Sequence, residues 1–564
     1  DSSGVCFGDI DNDGDHDLFV LSNFGPNRLF ESNGDGTFTD ISFVSGLGGD
    51  DYTSVSCSFG DVNGDGLLDV VVANAIEDMS NLLGIAPIDP FLFNQYNQLF
   101  LGGPGNVFVD VSETSGVTDL RGFPPGFEGS PAVTWAIAMV DYDLDGDVDI
   151  VHADDQAGVP RASVGGVDRG FIHILENDGT GHFTDVTVER GMNKVGEWMG
   201  LAFGDLNEDG HFDIFGTNVG DWATTTASPL DPVYGALGVY NLGDSTSRWF
   251  LGSEDGSFSD PGVGGLAGTP FGWGASMADY DNDADTDIIY HGGMAFGPVV
   301  HSDNIGVMLL NDGAANFTYD AEALSESVDH QRRTVHGMAV GDLDDDGFTD
   351  VVSVSNFDKQ ASIPITQYNT EWDSPFDGLV GYQATFGPTE EPFVWAFNGY
   401  EDNDDGSLAV EISTGDNGNR WAKVELLGTV GLTIGGAVNR DGIGAVVGFR
   451  TSHGRSTLRP VTGGSSYASQ DSLELVFGLG KARRGRIDVL WPGGVRNRLY
   501  GVKKRERIRF PEIPCSIDRD WGSFAQYAVC VGSSLADLRN AGYLSRQEKL
   551  RFFASAVVAY FVEQ

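Results

Sequence analysis

Short apolar runs recur in pairs along the first two-thirds of the chain, and each pair encloses an acidic stretch of nine residues. The first stretch lies between Val5–Phe7 and Leu18–Leu21, and the third lies between Ile137–Val140 and Ile150–Val151. Short apolar runs bounded by Gly, Asp and Asn predict strands. The pattern therefore predicts a polar loop between two neighbouring strands, and it occurs six times, starting at residues 9, 61, 141, 205, 279 and 342.

A second element follows most of these pairs and predicts a β-hairpin. Asn27–Ile41, Asn97–Val111 and Ile172–Val186 each carry two apolar stretches around a Gly-rich turn, and Trp249–Asp260 and Val307–Thr318 are looser copies. Two strands plus a hairpin make a four-stranded unit. Units that recur at roughly fifty to eighty residues are typical of propeller blades with variable loops.

The spacing of oxygens in the nine-residue stretches predicts calcium sites. Positions one, three and five are Asp or Asn, and position nine is Asp. Ca²⁺ takes six to eight oxygen ligands at about 2.3–2.6 Å, and alternate residues of a tight loop can turn their carboxylates inward together. Position seven would add a backbone carbonyl. We therefore expect about six bound Ca²⁺ ions, and the predicted ligands are Asp9, Asp11, Asp13, Asp15 and Asp17; Asp61, Asn63, Asp65, Leu67 and Asp69; Asp141, Asp143, Asp145, Asp147 and Asp149; Asp205, Asn207, Asp209, His211 and Asp213; Asp279, Asp281, Asp283, Asp285 and Asp287; and Asp342, Asp344, Asp346, Phe348 and Asp350.

Position six of these loops is Gly in five copies and Ala284 in the fifth loop, where we expect strain or weaker binding. The loops share the first half of an EF-hand but have no Glu at position twelve and no flanking amphipathic helices. A solvated Asp-rich turn is the alternative for any single copy. Six copies with the same oxygen positions favour metal binding.

The repeats resemble the FG-GAP/VCBS family over about residues 4–390. That resemblance implies a calcium loop between the first two strands of each blade, and usually seven blades. The stretch Glu401–Ala409 keeps oxygens at positions one, three and five, and we interpret it as a decayed seventh copy. The expected fold is mainly β: a seven-bladed calcium-binding β-propeller with six clear repeats, then a small β domain and a short α-helical tail.

The balance of charge changes near residue 416 and indicates a domain boundary. Residues 1–415 hold 10 Lys and Arg against 71 Asp and Glu, whereas residues 416–513 hold 17 against 8. Within the basic part, Asn419–Leu426, Asn439–Val447, Gly463–Gln470 and Ile487–Gly494 resemble an ASPIC/UnbV domain. A propeller followed by this domain is the layout of the cartilage acidic protein family and its bacterial relatives. We therefore divide the chain into a propeller at 1–415, a β domain at 416–513 and a tail at 514–564.

The tail is predicted to be helical. Ser545 to Glu548 reads as a capping box before an apolar run, and Ser534–Ala541 indicates another helix. The run Phe552–Val562 is too short to span a bilayer, and its apolar surface extends around most of the helix. It is expected to be buried, either on its own domain or in a partner subunit.

Several other residues leave alternatives open. Trp135, Trp198, Trp273 and His336 precede the loops and would either pack between blades or line a ligand-binding mouth. Cys6 with Cys57, and Cys515 with Cys530, would either form disulfides or remain free thiols.

Calcium loops favour a secreted protein at the cell surface, outside the cell or in a periplasm, since calcium is abundant there. We take the chain as a mature form without a leader, and its composition predicts no membrane span.

The sequence contains no nucleophile elbow, phosphate loop or HExxH motif, so we do not expect an enzyme. The basic cluster Lys503–Arg509 could suggest nucleic acid, but the acidic propeller would repel a phosphate backbone, and docking on an acidic propeller is favoured. The expected function is an extracellular binding, adhesion or scaffold protein with a protein or glycan partner. A self-assembling subunit and a carbohydrate-binding or polysaccharide-degrading propeller are the alternatives.

Overall fold

The computed structural model describes residues 2–23, 25–49, 52–75, 95–121, 133–155, 170–218, 246–263, 269, 271–296, 300–320, 323, 332–359, 381–382, 387–388, 395–396, 404–415 and 417–563. These residues form mostly strands, with short helices after two of the strands and two long helices at the end of the chain. The predicted mainly β fold is confirmed.

Five sheets repeat one arrangement, in which four strands pair antiparallel in the order of the sequence, and a sixth sheet begins in the same way. The first three sheets are β1 Ser2–Gly8, β2 Asp17–Ser22, β3 Arg28–Ser32 and β4 Phe38–Asp40; β5 Ser54–Gly60, β6 Asp69–Asn74, β7 Gln98–Gly103 and β8 Val107–Asp110; and β9 Val133–Val140, β10 Asp149–Asp155, β11 Ile172–Asn177 and β12 Phe183–Asp185. The fourth and fifth are β13 Leu201–Gly204, β14 Asp213–Gly216, β15 Arg248–Gly252 and β16 Phe258–Ser259; and β17 Ala275–Ala278, β18 Asp287–Phe296, β19 Val300–Asn311 and β20 Phe317–Tyr319. Two single-turn helices, α1 Ser42–Ser45 and α2 Ser112–Ser115, follow β4 and β8.

The sixth sheet pairs β21 Arg332–Gly341 with β22 Asp350–Lys359. Three short strands follow in sequence: β23 Gly381–Tyr382 pairs with β19, and β24 Gly387–Pro388 pairs with β25 Trp395–Ala396. The next two strands, β26 Asp404–Asp405 and β27 Leu408–Glu411, both pair with β22.

The acidic stretch expected to begin a seventh repeat has a different place. Residues 401–403 lie outside the described residues, and β27 occupies the third-strand position of the sixth sheet. Glu411 of β27 is opposite Val351, the second residue of β22. In the first sheet, Phe30 of the third strand is likewise opposite Leu18, the second residue of β2, so the two strands occupy equivalent positions. The described residues of this stretch therefore belong to the sixth sheet and do not join the first two strands of a seventh. Closure of the ring by a seventh sheet stays a prediction.

Successive sheets pack face to face through their first strands. β1 contacts β5, and β5 contacts β9, and every residue of β5 and β9 is buried. Alternate residues of a strand point to opposite faces, so a strand that lies between two packed sheets is apolar or small on both faces. Side chains such as Phe19 and Phe59 pack across these contacts, with ring centroids 6.4 Å apart. The six clear repeats are thus confirmed as consecutive packed sheets.

Two further sheets follow the repeats and confirm the predicted small β domain. Their strands are β28 Arg420–Leu427, β29 Val446–Thr451, β30 Ser456–Pro460, β31 Leu475–Gly480, β32 Arg484–Trp491, β33 Val495–Lys503 and β34 Glu506–Pro511. One sheet has the order β31-β28-β34 and the other β30-β29-β32-β33. Phe449, Ile487 and Trp491 are fully buried in their common core.

Two helices end the chain, α3 Phe524–Asn540 and α4 Arg546–Glu563, which confirms the helical tail. The Ser545 N–H donates to Glu548 Oε2 and the Glu548 N–H donates to Ser545 Oγ, so the predicted capping box is present. α4 packs on α3 and β33 through Phe552 and Tyr560. Its other side exposes 64% of Phe561, so the apolar surface is only partly buried on the chain's own domain, and its burial in a partner subunit stays a prediction.

Candidate metal centres

The six acidic loops share one backbone shape. Each joins the first two strands of its sheet, and its ninth residue is the Asp that begins the second strand. The fourth residue has a positive φ of 58° to 71° in every copy: Asn12, Gly64, Leu144, Glu208, Asn282 and Asp345. The sixth residue also has a positive φ, and Ala284 adopts 85° there beside the glycines of the other loops. Ala284 thus keeps the turn but holds a conformation that an L-residue disfavours.

Backbone N–H groups orient the first and ninth carboxylates of each loop. In the first loop, Asp9 accepts from the N–H groups of Asp13 at 2.9 Å and Gly14 at 2.7 Å. Asp17 accepts from Ile10 at 3.0 Å and from Ser32, on the third strand, at 2.8 Å. Both kinds of bond recur in all six copies. The N–H of the sixth residue donates to the first Asp. An N–H of the third strand, or of a residue just after it, donates to the ninth Asp. The ninth Asp therefore joins the loop to the middle of its own sheet.

These bonds bring carboxylate oxygens together. In four loops, three carboxylates offer oxygens that all lie within 4.8 Å of one another. The groups are Asp9, Asp11 and Asp13; Asp141, Asp143 and Asp149; Asp279, Asp281 and Asp287; and Asp342, Asp344 and Asp350. The second and fourth loops carry Asn63 and Asn207 at position three, where an amide oxygen replaces a carboxylate.

The predicted ligands at position seven have varied side chains. Asp15 is exposed and Leu67 and His211 are partly buried, whereas Asp285 and Phe348 are buried. Such variety is compatible with the predicted role of the backbone carbonyl at this position. The N–H of the seventh residue donates to the fifth carboxylate, as from Asp147 to Asp145 at 2.9 Å. This bond holds the fifth side chain against the loop.

The third loop shows why such a site favours a cation. Burial, followed by the negative charges of Asp145 and Asp143, raises the pKa of Asp141 to about 8. Burial also raises the pKa of Asp149 well above its usual value. Asp141 Oδ1 and Asp143 Oδ1 are buried and have no hydrogen-bond partner in the described part of the chain. A cation bound between them would satisfy these oxygens and offset the repulsion between the carboxylates.

The basic domain lies against these loops, and the contact residues were missed as functional residues in the sequence. Arg440 donates to Asn12 through its backbone N–H at 2.6 Å and through Nη2 at 2.8 Å. Asp441 accepts from the N–H of Asp9 at 2.8 Å. In the third loop, the Gly493 N–H donates to the Gly146 carbonyl at 2.8 Å. That backbone bond joins the basic domain to the third loop, as Arg440 joins it to the first.

The fourth, fifth and sixth loops are contacted in the same way. Arg455 forms an ion pair with Glu208 of the fourth loop, and the Gly480 N–H donates to the Asn282 carbonyl of the fifth loop at 2.9 Å. Lys423, whose side chain is 1% exposed, forms ion pairs with Asp342 and Asp345 of the sixth loop. The contacts fall mostly on the fourth residue of the loop, namely Asn12, Glu208, Asn282 and Asp345.

One segment of the basic domain, residues 461–472, enters the centre of the repeat array, and we call it the axial segment. Its carbonyl at Gly463 accepts from the Phe59 N–H of β5 at 3.0 Å, and the Ser472 N–H donates to the Val340 carbonyl of β21 at 2.9 Å. Ser466 Oγ accepts from the Ala275 N–H of β17 at 2.7 Å. The first strands of distant sheets are therefore joined through a single segment of the basic domain.

The aromatic side chains noted in the sequence pack around the axial segment. Tyr467 lies 4.5 Å from Trp273, 6.1 Å from Trp135 and 5.9 Å from His336 between ring centroids. Trp198 packs elsewhere, 5.7 Å from Phe250. The structure thus favours packing over a ligand-binding mouth for these four residues.

The third sheet also holds a buried network that the sequence did not reveal. His173 lies between Asp185, 3.3 Å from its Nδ1, and Asp154, 3.5 Å from its Nε2. His152 Nδ1 lies 2.9 Å from the other Asp154 oxygen, and the two imidazoles stack at 4.8 Å. Burial alone would raise the pKa of Asp154, but His152 and His173 lower it below its usual value. The network balances buried charges, and its residues lie on three neighbouring strands, β10, β11 and β12.

Both possible disulfides are present in the structure. Cys6 on β1 is joined to Cys57 on β5, which links the first two sheets, and Cys515 is joined to Cys530 on α3. Disulfides are typical of proteins in oxidising, extracellular compartments. Among the described residues, no helix is both long and apolar enough to cross a membrane.

Comparisons with known proteins identify both parts of the chain. A family model described as FG-GAP-like repeat matches residues 9–72 and 155–216, and the model of ASPIC and UnbV matches residues 435–515. No curated protein matches the chain.

Solved structures give only weak similarity. The exotype rhamnogalacturonan lyase YesX is 14% identical over 63% of this chain and 53% of its own, with a TM-score of 0.31. The NanB sialidase from Streptococcus pneumoniae is 11% identical over 63% of this chain and 52% of its own, with a TM-score of 0.25. The matched part spans about half the length of these proteins, and similarity this low carries no argument about activity. The family models are the informative result: this chain carries FG-GAP-like repeats followed by an ASPIC/UnbV domain.

Proposed function

We propose that this chain is a calcium-binding extracellular scaffold whose metal loops fix the repeat sheets and the basic domain in one arrangement. The observation that carries the proposal is the shared geometry of the six loops, each with oriented carboxylates at positions one and nine. Oxygen-only ligands suit a hard cation, and calcium accepts the irregular, flexible coordination that such loops offer better than magnesium does.

The contacts of the basic domain extend this role. A loop that reorganises without its cation would also displace the residues that Arg440, Arg455 and Lys423 contact. Calcium would therefore stabilise the sheets and, through them, the position of the axial segment. The two disulfides support an extracellular location, where calcium is abundant.

The proposed activity is binding rather than catalysis. Carboxylates held on a cation are poor general acids, because the cation favours their ionised form. The side of the sheets that carries the metal loops is covered by the basic domain, so a protein or glycan partner would bind another surface of this rigid unit.

Metal binding is tested by native mass spectrometry of the full chain after treatment with chelator and titration with Ca²⁺ or Mg²⁺. We expect up to six Ca²⁺ ions to bind, and Mg²⁺ to bind more weakly. Limited proteolysis in parallel should show that calcium protects the axial segment. Retention of no calcium at millimolar concentration would refute the proposal.

A further inference from the structure

One face of the four-stranded sheet in the basic domain carries cations that form no ion pair with any described carboxylate. Arg450 on β29, Arg484 on β32 and Lys503 on β33 are exposed, while their neighbours Phe449, Gly485 and Val502 are buried on the opposite face. Arg483, Lys504 and Arg505 continue the patch in the adjoining turns, where the Lys504 N–H donates to the Arg483 carbonyl. We call these six residues the cationic face: Arg450, Arg483, Arg484, Lys503, Lys504 and Arg505.

The strand register places like charges directly opposite each other. Arg450 pairs with Arg486 across β29 and β32, and Arg484 pairs with Lys503 across β32 and β33. Like charges at directly opposed positions destabilise a sheet. Asp488 offsets the charge of Arg486, so the uncompensated opposition is that of Arg484 and Lys503, which an external anion would relieve.

Carboxylates close to the cationic face form ion pairs with other Arg residues. Asp488 pairs with Arg486 and Arg498, and Glu506 accepts from Arg551. Within the described part of the chain, none of the six residues of the cationic face forms an ion pair. This contrasts with Arg440, Arg455 and Lys423, which the chain uses to hold its own metal loops.

We propose that the cationic face binds the acidic repeat surface of a second copy of this chain. The complementary charge is present in the same molecule, since residues 1–415 contain 71 acidic residues against 10 Lys and Arg. At physiological ionic strength the Debye length is about 8 Å, so salt largely screens the repulsion between distant charges of two net negative chains, while the opposite charges that meet at the contact still attract. A contact between two different surfaces is heterologous and adds copies head to tail.

This inference deepens the proposed scaffold function by naming its partner, but it does not depend on which metal the loops hold. The test is sedimentation velocity of the full chain in calcium at about 50 mM and 500 mM NaCl, because surface ion pairs weaken as salt screens them. We expect self-association that depends on concentration at low salt and a single smaller species at high salt. The variant Arg484→Glu/Lys503→Glu should associate at least tenfold more weakly at low salt.

A matched control carries the same change of charge on the helical tail. Arg546→Glu/Lys549→Glu lies in the first turn of α4, outside the six residues of the cationic face, and should associate like the unmodified chain. Calcium binding should be unchanged in both variants, which separates failure of this inference from failure of metal binding. An unmodified chain that stays monomeric at low salt would overturn the inference. So would equal loss in both variants, or binding of the cationic face to immobilised heparin without any self-association.

Discussion

Replacing Asp149 with Asn should remove one carboxylate from the third metal loop while keeping the shape of the side chain. Asp149 is 1% exposed and accepts from the Tyr142 N–H at 3.4 Å and the Asn177 N–H at 2.8 Å. Asn offers one oxygen, so one of these donors loses its acceptor, at a cost of about 1–3 kcal/mol. The variant also loses a ligand. Calcium at a hundred times its dissociation constant contributes about 2.7 kcal/mol per site to the free energy of unfolding.

The two contributions separate when the variant is measured with calcium and with chelator. In calcium we expect a loss of about 4–6 kcal/mol, the sum of the hydrogen-bond and metal contributions. In chelator the loss should be smaller, because Asn also removes a buried negative charge. Hydrogen exchange of peptides covering β9 and β10 measures the local free energy of opening in each condition.

Asp178→Asn is the matched control for this prediction. Asp178 lies in the exposed turn of the same sheet and accepts from Thr180. It carries the same change of charge and should alter exchange little in either condition. Equal losses for Asp149→Asn with calcium and with chelator would refute metal binding by the third loop.

Three further predictions concern the loops and the axial segment. Burial raises the pKa of Asp213 to about 8 and that of Asp205 to about 7, so the metal-free fold binds protons more tightly than the unfolded chain does. Stability in chelator should therefore fall as pH rises from about 4 to 8, and melting curves should show much less fall in calcium. Ala284→Gly should relieve the strain of a φ of 85° and stabilise the fifth sheet by about 1 kcal/mol. A calorimetric titration should show tighter calcium binding, and unchanged binding and stability would contradict the strain at this position. Tyr467→Ala should lower the free energy of unfolding by about 3 kcal/mol. It should also shift tryptophan emission to longer wavelength, because Trp135 and Trp273 lose their common neighbour. Unchanged emission would count against this packing.

The repeat unit could be predicted from sequence because its determinants are local. The alternation of apolar runs, the nine-residue oxygen pattern and the turn glycines all lie within one sheet, where neighbouring residues decide the conformation. Ala284 shows the strength of this local pattern, since the loop keeps its shape without the usual glycine. The capping box at Ser545 was predictable for the same reason.

The place of residues 404–411 could not be predicted, because a short acidic pattern does not specify which strand it pairs with. Asp404–Asp405 and Leu408–Glu411 resemble a degraded loop in sequence, yet they pair with β22. Pairing between β22 and β27 spans a long connection, and the sequence of either strand alone does not specify it. The exposed face of α4 escaped prediction similarly, because its burial depends on which neighbours it meets.

The sequence by itself determined the acidic loops, their sheets, the basic composition of the second domain and the helical tail. Only the tertiary structure decided that the basic domain covers the loops, that Tyr467 lies among Trp135, Trp273 and His336, and that the cationic face forms no ion pair within the described part of the chain. The physical reason is the range of the interactions. Carboxylate spacing and strand periodicity act within a few residues, whereas charge pairing such as Lys423 with Asp342 and Asp345 joins residues about eighty positions apart, once folding has brought them together.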